Sequence, residues 1–171
     1  MILETKRLRL REMSQADFPS LCELMQDDDV MYAYEGAFSK NEVQSWLDKQ
    51  IERYKNDGFG LWAVILKENG LMIGQCGLSM QTYNDKAVLE IGYLIQKEYW
   101  HRGYATEAAI ACKYYAFQKL NASEVYSIIR DTNLPSQNVA IRNGMTCVDK
   151  FVKQYRGVDM PHFAYCVKRD S

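Results

Sequence analysis

The chain lacks any apolar run approaching the ~20 residues that cross a bilayer. Its opening Met1-Ile2-Leu3 meets Glu4, Lys6 and Arg7 at once. No membrane association and no signal peptide are expected, and the location implied is cytoplasmic. An excess of one charge is also missing, because 21 Lys and Arg stand against 22 Asp and Glu for a net charge of −1. That balance argues against a nucleic-acid partner and leaves the basic residues to act locally. Histidine is scarce, with only His101 and His162. The five cysteines, Cys22, Cys76, Cys112, Cys147 and Cys166, are odd in number and contain no C-x-x-C. They read as buried reduced thiols, since a nucleophilic Cys needs a His partner and zinc needs clustered ligands. No metal is expected. The nucleotide loop G-x-x-x-x-G-K-[ST] is absent too, which sets a phosphotransferase aside. Nothing in the chain looks like a repeat, a linker or a low-complexity stretch, so residues 1–171 read as one domain, long enough to bury roughly 70% of the unfolded surface.

What is present is organised around Glu90 to Ala108. A run rich in β-branched and aromatic residues ends near Ile95, a basic turn with Gly103 follows, and a helical pattern begins at Ala105. A helix that starts this way points free N–H groups outward, and its dipole favours an anion there. Gly103 and Ala105 permit close approach, Thr106 adds a hydroxyl and Arg102 a positive charge. Phosphate binding is the reading, against a plain strand-to-helix turn.

On either side of this stretch the periods alternate. Leu3 to Glu12 reads as a strand with one wet face, and Ser14 with Asp17 starts a short helix that Asp27-Asp28-Asp29 ends. Ser39 and Glu42 form a capping box for a second helix running to Gly58. Between the helices lies an aromatic loop, Met31 to Phe38, carrying Glu35. The period then falls to two: Phe59 to Lys67, Leu71 to Ser79 and Ala87 to Ile95 make an antiparallel meander with turns at Glu68-Asn69-Gly70 and Tyr83 to Lys86. After the phosphate-loop helix, Glu124 to Arg130 is a strand that the βαβ rule places parallel to the one before the loop. A short helix follows from Asp131 to Gly144, with Pro135 in its first turn, and a hairpin from Thr146 to Lys168 closes the chain.

This order of elements, with Trp100-His101-Arg102-Gly103-Tyr104-Ala105-Thr106-Glu107-Ala108 at its centre, resembles the GNAT superfamily of acetyl-CoA-dependent N-acetyltransferases. Thr5-Lys6-Arg7-Leu8-Arg9-Leu10-Arg11, Ile73-Gly74-Gln75-Cys76-Gly77, Asn133-Leu134-Pro135-Ser136-Gln137-Asn138-Val139-Ala140 and Tyr165 resemble its RimJ/RimL-type branch, which acetylates protein N-termini and other amines. Trp100 fits that branch, where the wider superfamily commonly has Gln or Arg. The fold implied is α/β (α+β): a mixed, mostly antiparallel seven-stranded sheet, splayed at its centre, with helices on both faces. The activity implied is acetyl transfer from acetyl-CoA to a primary amine in a ternary complex, the alternative being a non-catalytic acyl-CoA-binding regulatory domain. A homodimer stays open.

The resemblance also implies residues. The amides of Arg102, Gly103, Tyr104, Ala105 and Thr106 would hold the pyrophosphate, with His101 beside them, and the pantetheine arm would pair where the strands ending at Leu94-Ile95 and Ile129-Arg130 splay. Asn133 and Asn138 would contact the coenzyme. Glu90, on the same strand face as Gly92 and Leu94, is the leading candidate for the base, with Glu35 second. A backbone N–H near Leu94 or Ile95 would meet the oxyanion if the strand bulges there. Ser136 is either the proton donor to the leaving thiolate or a helix cap that touches the coenzyme. Glu35 and Trp62, with Tyr34 and Phe38, are candidates for the acceptor pocket, against the plainer reading of the three aromatics as core and of the Glu35 loop as surface packing.

Overall fold

The computed structural model describes residues 1–170. Its centre is one sheet in the order β1-β2-β3-β4-β5-β6-β8-β7. In chain order the strands are β1 (Leu3–Glu4), β2 (Leu8–Arg11), β3 (Leu61–Leu66), β4 (Met72–Tyr83), β5 (Lys86–Ile95), β6 (Glu124–Arg130), β7 (Thr146–Tyr155) and β8 (Val158–Lys168). The helices are α1 (Phe18–Met25), α2 (Lys40–Asn56), α3 (Tyr104–Gln118) and α4 (Leu134–Arg142). The sheet therefore has eight strands where the sequence implies seven. The extra one arises because Leu3 to Glu12 is a tight hairpin and not a single strand: Leu3 pairs with Leu10 and Glu4 with Arg9. The turn at residues 5–7 folds as it does because Thr5 and Arg7 bond to a carboxylate far along the chain, a contact that alternation cannot reveal.

Both faces of the sheet are covered. One core holds Leu8, Leu10, Trp62, Ile73, Ile91 and Val125 under the small side of α3, where Ala108, Ala109, Cys112 and Ala116 are buried and let the helix sit close. The other holds Leu21, Leu24, Met25, Val43, Leu47 and Ala63 beneath α1 and α2. Each fully buried Leu contributes about 1.5–3 kcal/mol relative to exposure, so the two layers fix the sheet from both sides. Double cover also explains β4. From Met72 to Ser79 every residue is buried, and polar alternation returns only beyond Ser79, where the strand runs past the helices to Tyr83. The loss of amphipathic signal at Ser79 hides that continuation.

Strand β5 is the pivot. It pairs with β4 antiparallel along its whole length, from Gly74↔Ile95 to Tyr83↔Lys86. On its other side it meets β6 in parallel through a single registered pair, Glu90↔Tyr126. The crossover through α3 makes β5-α3-β6 the parallel unit that the βαβ rule predicts. Past Glu90 the two strands are no longer paired, and the sheet opens.

Candidate functional site

The loop between β5 and α3 begins the site. His101 and Gly103 both take positive φ, 62° and 80°. Gly103 caps α3 from the left-handed region, and no side chain caps that end. A Cβ at Gly103 would stand 3.3 Å from the Arg7 guanidinium, so both backbone and space demand glycine here. His101, Arg102 and Gly103 are exposed, Ala105 and Thr106 partly so, and Tyr104 is buried. Uncapped amides at a helix start attract an anion.

The loop is anchored by residues from the other end of the chain. Glu107 accepts hydrogen bonds from the Thr5 hydroxyl (2.5 Å), the Arg7 amide (2.9 Å) and Arg7 Nε (2.7 Å). Arg7 Nη1 also donates to the Arg102 carbonyl (2.9 Å), and its guanidinium lies 4.3 Å from the Tyr104 ring centre. Burial tends to raise the Glu107 carboxyl, but the bonds from Thr5 and Arg7 outweigh it and hold the group below the usual carboxylate range. The Thr5–Arg11 passage thus has a structural purpose: it ties β2 to the first turn of α3.

Between β5 and β6 lies a cavity of about 290 Å³. Leu94, Asn133 and Ser136 line it with Glu90, Gly92, Tyr93, Ile128 to Arg130, Tyr34 and His162. Glu90 stands where the ladder parts, and its carboxylate accepts the Ile128 amide (2.9 Å). Burial pushes its carboxyl up to about 7, against that amide and the charges of Lys153 and Arg53, which lower it. One rung further, Ser127 Oγ donates to the Ile91 carbonyl (2.9 Å).

Register decides which amides face the gap. Gln96 donates to the Ile73 carbonyl (2.8 Å). In an antiparallel ladder bonding alternates, so Leu94, Gly92 and Glu90 turn their N–H toward β4, while Ile91, Tyr93 and Ile95 turn theirs toward β6. The amide at Leu94 is therefore directed away from the crevice, although its side chain lines it. Ile95 is buried, and its carbonyl takes the Trp100 indole N–H (2.7 Å). The bulge on which an oxyanion contact at Leu94 or Ile95 is conditional is absent from the β4/β5 ladder, whose register is continuous there.

Other expectations sort as follows. Asn133, not Ser136, caps α4: its Oδ1 accepts the Ser136 amide (3.3 Å). The Ser136 carbonyl receives the Tyr93 hydroxyl (2.6 Å), and no bond from the Ser136 hydroxyl is present among the described residues. Asn138 is exposed on α4 and does not line the cavity. Glu35 does not line it either; it is exposed and paired with Arg130 (2.8 Å). Trp62 is fully buried and packs edge-on against Tyr115, on the α3 side of the sheet, away from the cavity. A central strand covered on both faces has no outward position for it. Tyr34 does line the cavity, ringed by Phe38, Trp46 and Tyr155, whereas Phe38 is buried behind it.

Sequence reasoning missed His162 and the hydroxyl contact of Tyr93. His162 Nδ1 sits 2.8 Å from the Met160 carbonyl. A carbonyl only accepts, so Nδ1 carries the proton and Nε2 keeps a lone pair. Burial lowers the pKa of this ring, which favours the neutral form. No local motif marks a single His on an alternating hairpin strand.

Residues 7–146 match the family model described as an acetyltransferase (GNAT) domain. The chain belongs to the GNAT acetyltransferase family. It is similar to the uncharacterized protein YkkB of Bacillus subtilis (strain 168), 36% identical over 144 residues and covering 84% of each chain. It is also similar to the uncharacterized N-acetyltransferase YnaD of the same organism, 31% identical over 146 residues, covering 85% of this chain and 82% of that one. A solved RimL, a ribosomal L7/L12 alpha-N-protein acetyltransferase in complex with coenzyme A, shares the fold: TM-score 0.79, 98% and 97% coverage, 17% identity. This GNAT domain is thus an enzyme of the acetyltransferase class, and Glu90 and the splayed β5/β6 junction share one cavity, with the uncapped start of α3 following directly from the β5 end.

Proposed function

We propose that this GNAT domain transfers the acetyl group of acetyl-CoA to a primary amine, a protein N-terminus or a small molecule, by direct attack in a ternary complex. One observation carries the reading: a carboxyl group raised to about 7 stands at the parting of β5 and β6. An amine attacks only when neutral, yet a Lys-type amine has a pKa near ~10.4 and an N-terminal amine near ~8. Some group must take its proton, and a base titrating near neutrality is well matched to that task. Glu90 fills the role. Glu35 is drawn off by Arg130, and the neutral imidazole of His162 is the other basic side chain lining the cavity that could take a proton.

The residues present fit the coenzyme. An uncapped helix start behind a left-handed glycine suits a diphosphate, and the Tyr93 and Ile95 amides turned toward the gap suit an extended amide-bearing arm. Arg102 and the amides of Gly103, Tyr104, Ala105 and Thr106 would hold the phosphates, with His101 alongside and Asn133 and Asn138 on the α4 side. Bound acetyl-CoA supplies the activated thioester. Ser136 Oγ, not otherwise hydrogen-bonded, would either touch the coenzyme only or hydrogen-bond the leaving sulfur and relay to it a proton drawn from solvent. The RimJ/RimL-type branch is supported by the Thr5–Arg11 passage, which the structure ties to α3, and by Trp100.

A thermal-shift series with acetyl-CoA, other acyl-CoAs and ATP, followed by thiol release over peptide N-termini, polyamines and small amines, tests the reading. Acetyl-CoA at about 100 times its Kd should add roughly 2.7 kcal/mol of apparent stability. A shift with ATP alone would overturn the proposal. Binding of acetyl-CoA without turnover of any amine would leave the regulatory alternative.

A further inference from the structure

The α2 and β7 side of the cavity carries a cluster of cations. Lys49 and Arg53 stand one helical turn apart on α2, and Lys153 comes from β7; all three line the same cavity as Glu90. None of them belongs to an ion pair among the described residues, although seven such pairs exist elsewhere in the chain. The fourth cation of the cavity, Arg130, is already matched by Glu35. Arg53 makes only a hydrogen bond to Gln50 Oε1 (3.3 Å).

The three cations are close enough to repel one another. Burial and then the charges of Arg53 and Lys153 lower the pKa of Lys49. Arg53 is also lowered by burial, with Asp57 and Glu90 opposing, yet neither carboxylate reaches ion-pair distance. Glu90, the one carboxylate in the cavity, is itself largely protonated below about 7. The wall thus holds an uncompensated positive charge of two to three units, from Lys49, Arg53 and Lys153 against Glu90. A polyamine, or any amine bearing a second cation, would be repelled from it, and leaving like charges unmatched costs folding free energy unless a ligand relieves them.

Resting on the acetyl-transfer reading, we infer that the acceptor is an amine that also carries an anion, a carboxylate or a phosphate, which Lys49, Arg53 and Lys153 hold while its amine faces Glu90. Anion and amine must be joined by a short chain, because both are held within about 290 Å³. Charge recognition here also has a use for the chemistry. An anion seated on the three cations offsets part of their charge, which weakens the pull of Lys153 and Arg53 on Glu90 and keeps that group a stronger base.

Thiol release at saturating acetyl-CoA tests this with matched pairs: aspartate against its diamide, aminoethylphosphonate against ethanolamine, an acidic against a neutral N-terminal tripeptide, and spermidine as the polycation. The anion-bearing member of each pair should show kcat/KM higher by about tenfold, as for an anion shared among three partly exposed cations, with spermidine poorest. Preference for the small acids places the anion on a metabolite, and preference for the acidic tripeptide places it on a protein N-terminus. In the wild-type background, Lys49→Gln with Lys153→Gln should raise KM for the acid much more than for its amide, with kcat changed far less. Lys153→Glu should move preference toward spermidine. Equal rates for acid and amide, or a preference for spermidine in the wild type, overturn the inference and leave the acetyl-transfer reading standing. Binding of acetyl-CoA without turnover of any anion-bearing amine also overturns it. Failure to bind acetyl-CoA at all removes both.

Discussion

At the loop before α3 the proposed donor site is made of consecutive residues, the amides of 103 to 106 fixed by Gly103 and by the Thr5–Arg7–Glu107 bonds. At the α2 end the wall is assembled from side chains of α2, β4, β5, β7 and β8, which meet only once the sheet has formed. The first end is a backbone device, insensitive to most side-chain changes. The second is a side-chain device, free to vary without harm to the fold. A family can therefore keep one donor and exchange acceptors, because the two ends draw on different residues.

The sharpest way to test that division is at the residue that stands between the ends. Glu90→Gln should lower kcat about hundredfold, at the lower bound of what general-base catalysis supplies, with the acetyl-CoA thermal shift intact. Wild-type turnover should rise with pH through about 7 as the carboxylate forms, and the variant should lose that limb. Stability gives an independent sign. The folded state holds this proton from the ordinary 4.5 up to about 7 and the unfolded state does not, so the contribution present below 4.5 is lost as pH climbs through that window. Glu90→Gln should flatten that part of the urea-midpoint profile; an unchanged profile would move the raised group elsewhere.

Next in size comes the clamp at the loop end. Glu107→Gln leaves shape nearly intact but removes the charge that gathers Thr5 and Arg7, at a cost of about 2 kcal/mol for hydrogen bonds to an ionised group. Urea denaturation should read that loss, and acetyl-CoA affinity should fall because the loop is freed, while the acid-to-amide preference of the acceptor end stays as it was. Loss of acceptor preference together with donor affinity would break the division. A smaller effect is expected at α4. Asn133→Ala removes its cap and should cost about 1 kcal/mol, with a modest rise in KM for acetyl-CoA.

What was legible follows the same divide. The turn into α3 could be read because helix start, glycine and cation are neighbours in the chain. Glu90 could be placed because strand alternation and its distance from the loop put it on the face of Gly92 and Leu94. Illegible were features set by register or by distant partners. Whether Leu94 or Tyr93 turns its amide to the crevice depends on the phase of the β4 ladder, and the Thr5–Arg7 turn depends on Glu107, a hundred residues away. Of the two readings of Trp62, core or acceptor wall, the second was the misplaced one, for a related reason. In a strand buried on both faces, alternation no longer says which side faces the cavity.

That misplacement yields the smallest and cleanest test. Trp62 packs between sheet and α3 with its ring centre 5.1 Å from that of Tyr115, and its indole N–H is buried without a partner. Trp62→Phe therefore has two opposed effects. The smaller ring leaves a void, which destabilises, but an unpaired buried donor, itself costing about 1–3 kcal/mol, disappears. The net change should stay within about 1 kcal/mol, read as a small shift in the urea midpoint. Because the ring lies across the sheet from Glu90 and Lys153, KM for the acceptor and the acid-to-amide ratio should not move. A changed ratio would mean that the sheet transmits packing from the α3 layer into the acceptor wall, and the two ends would no longer be separable.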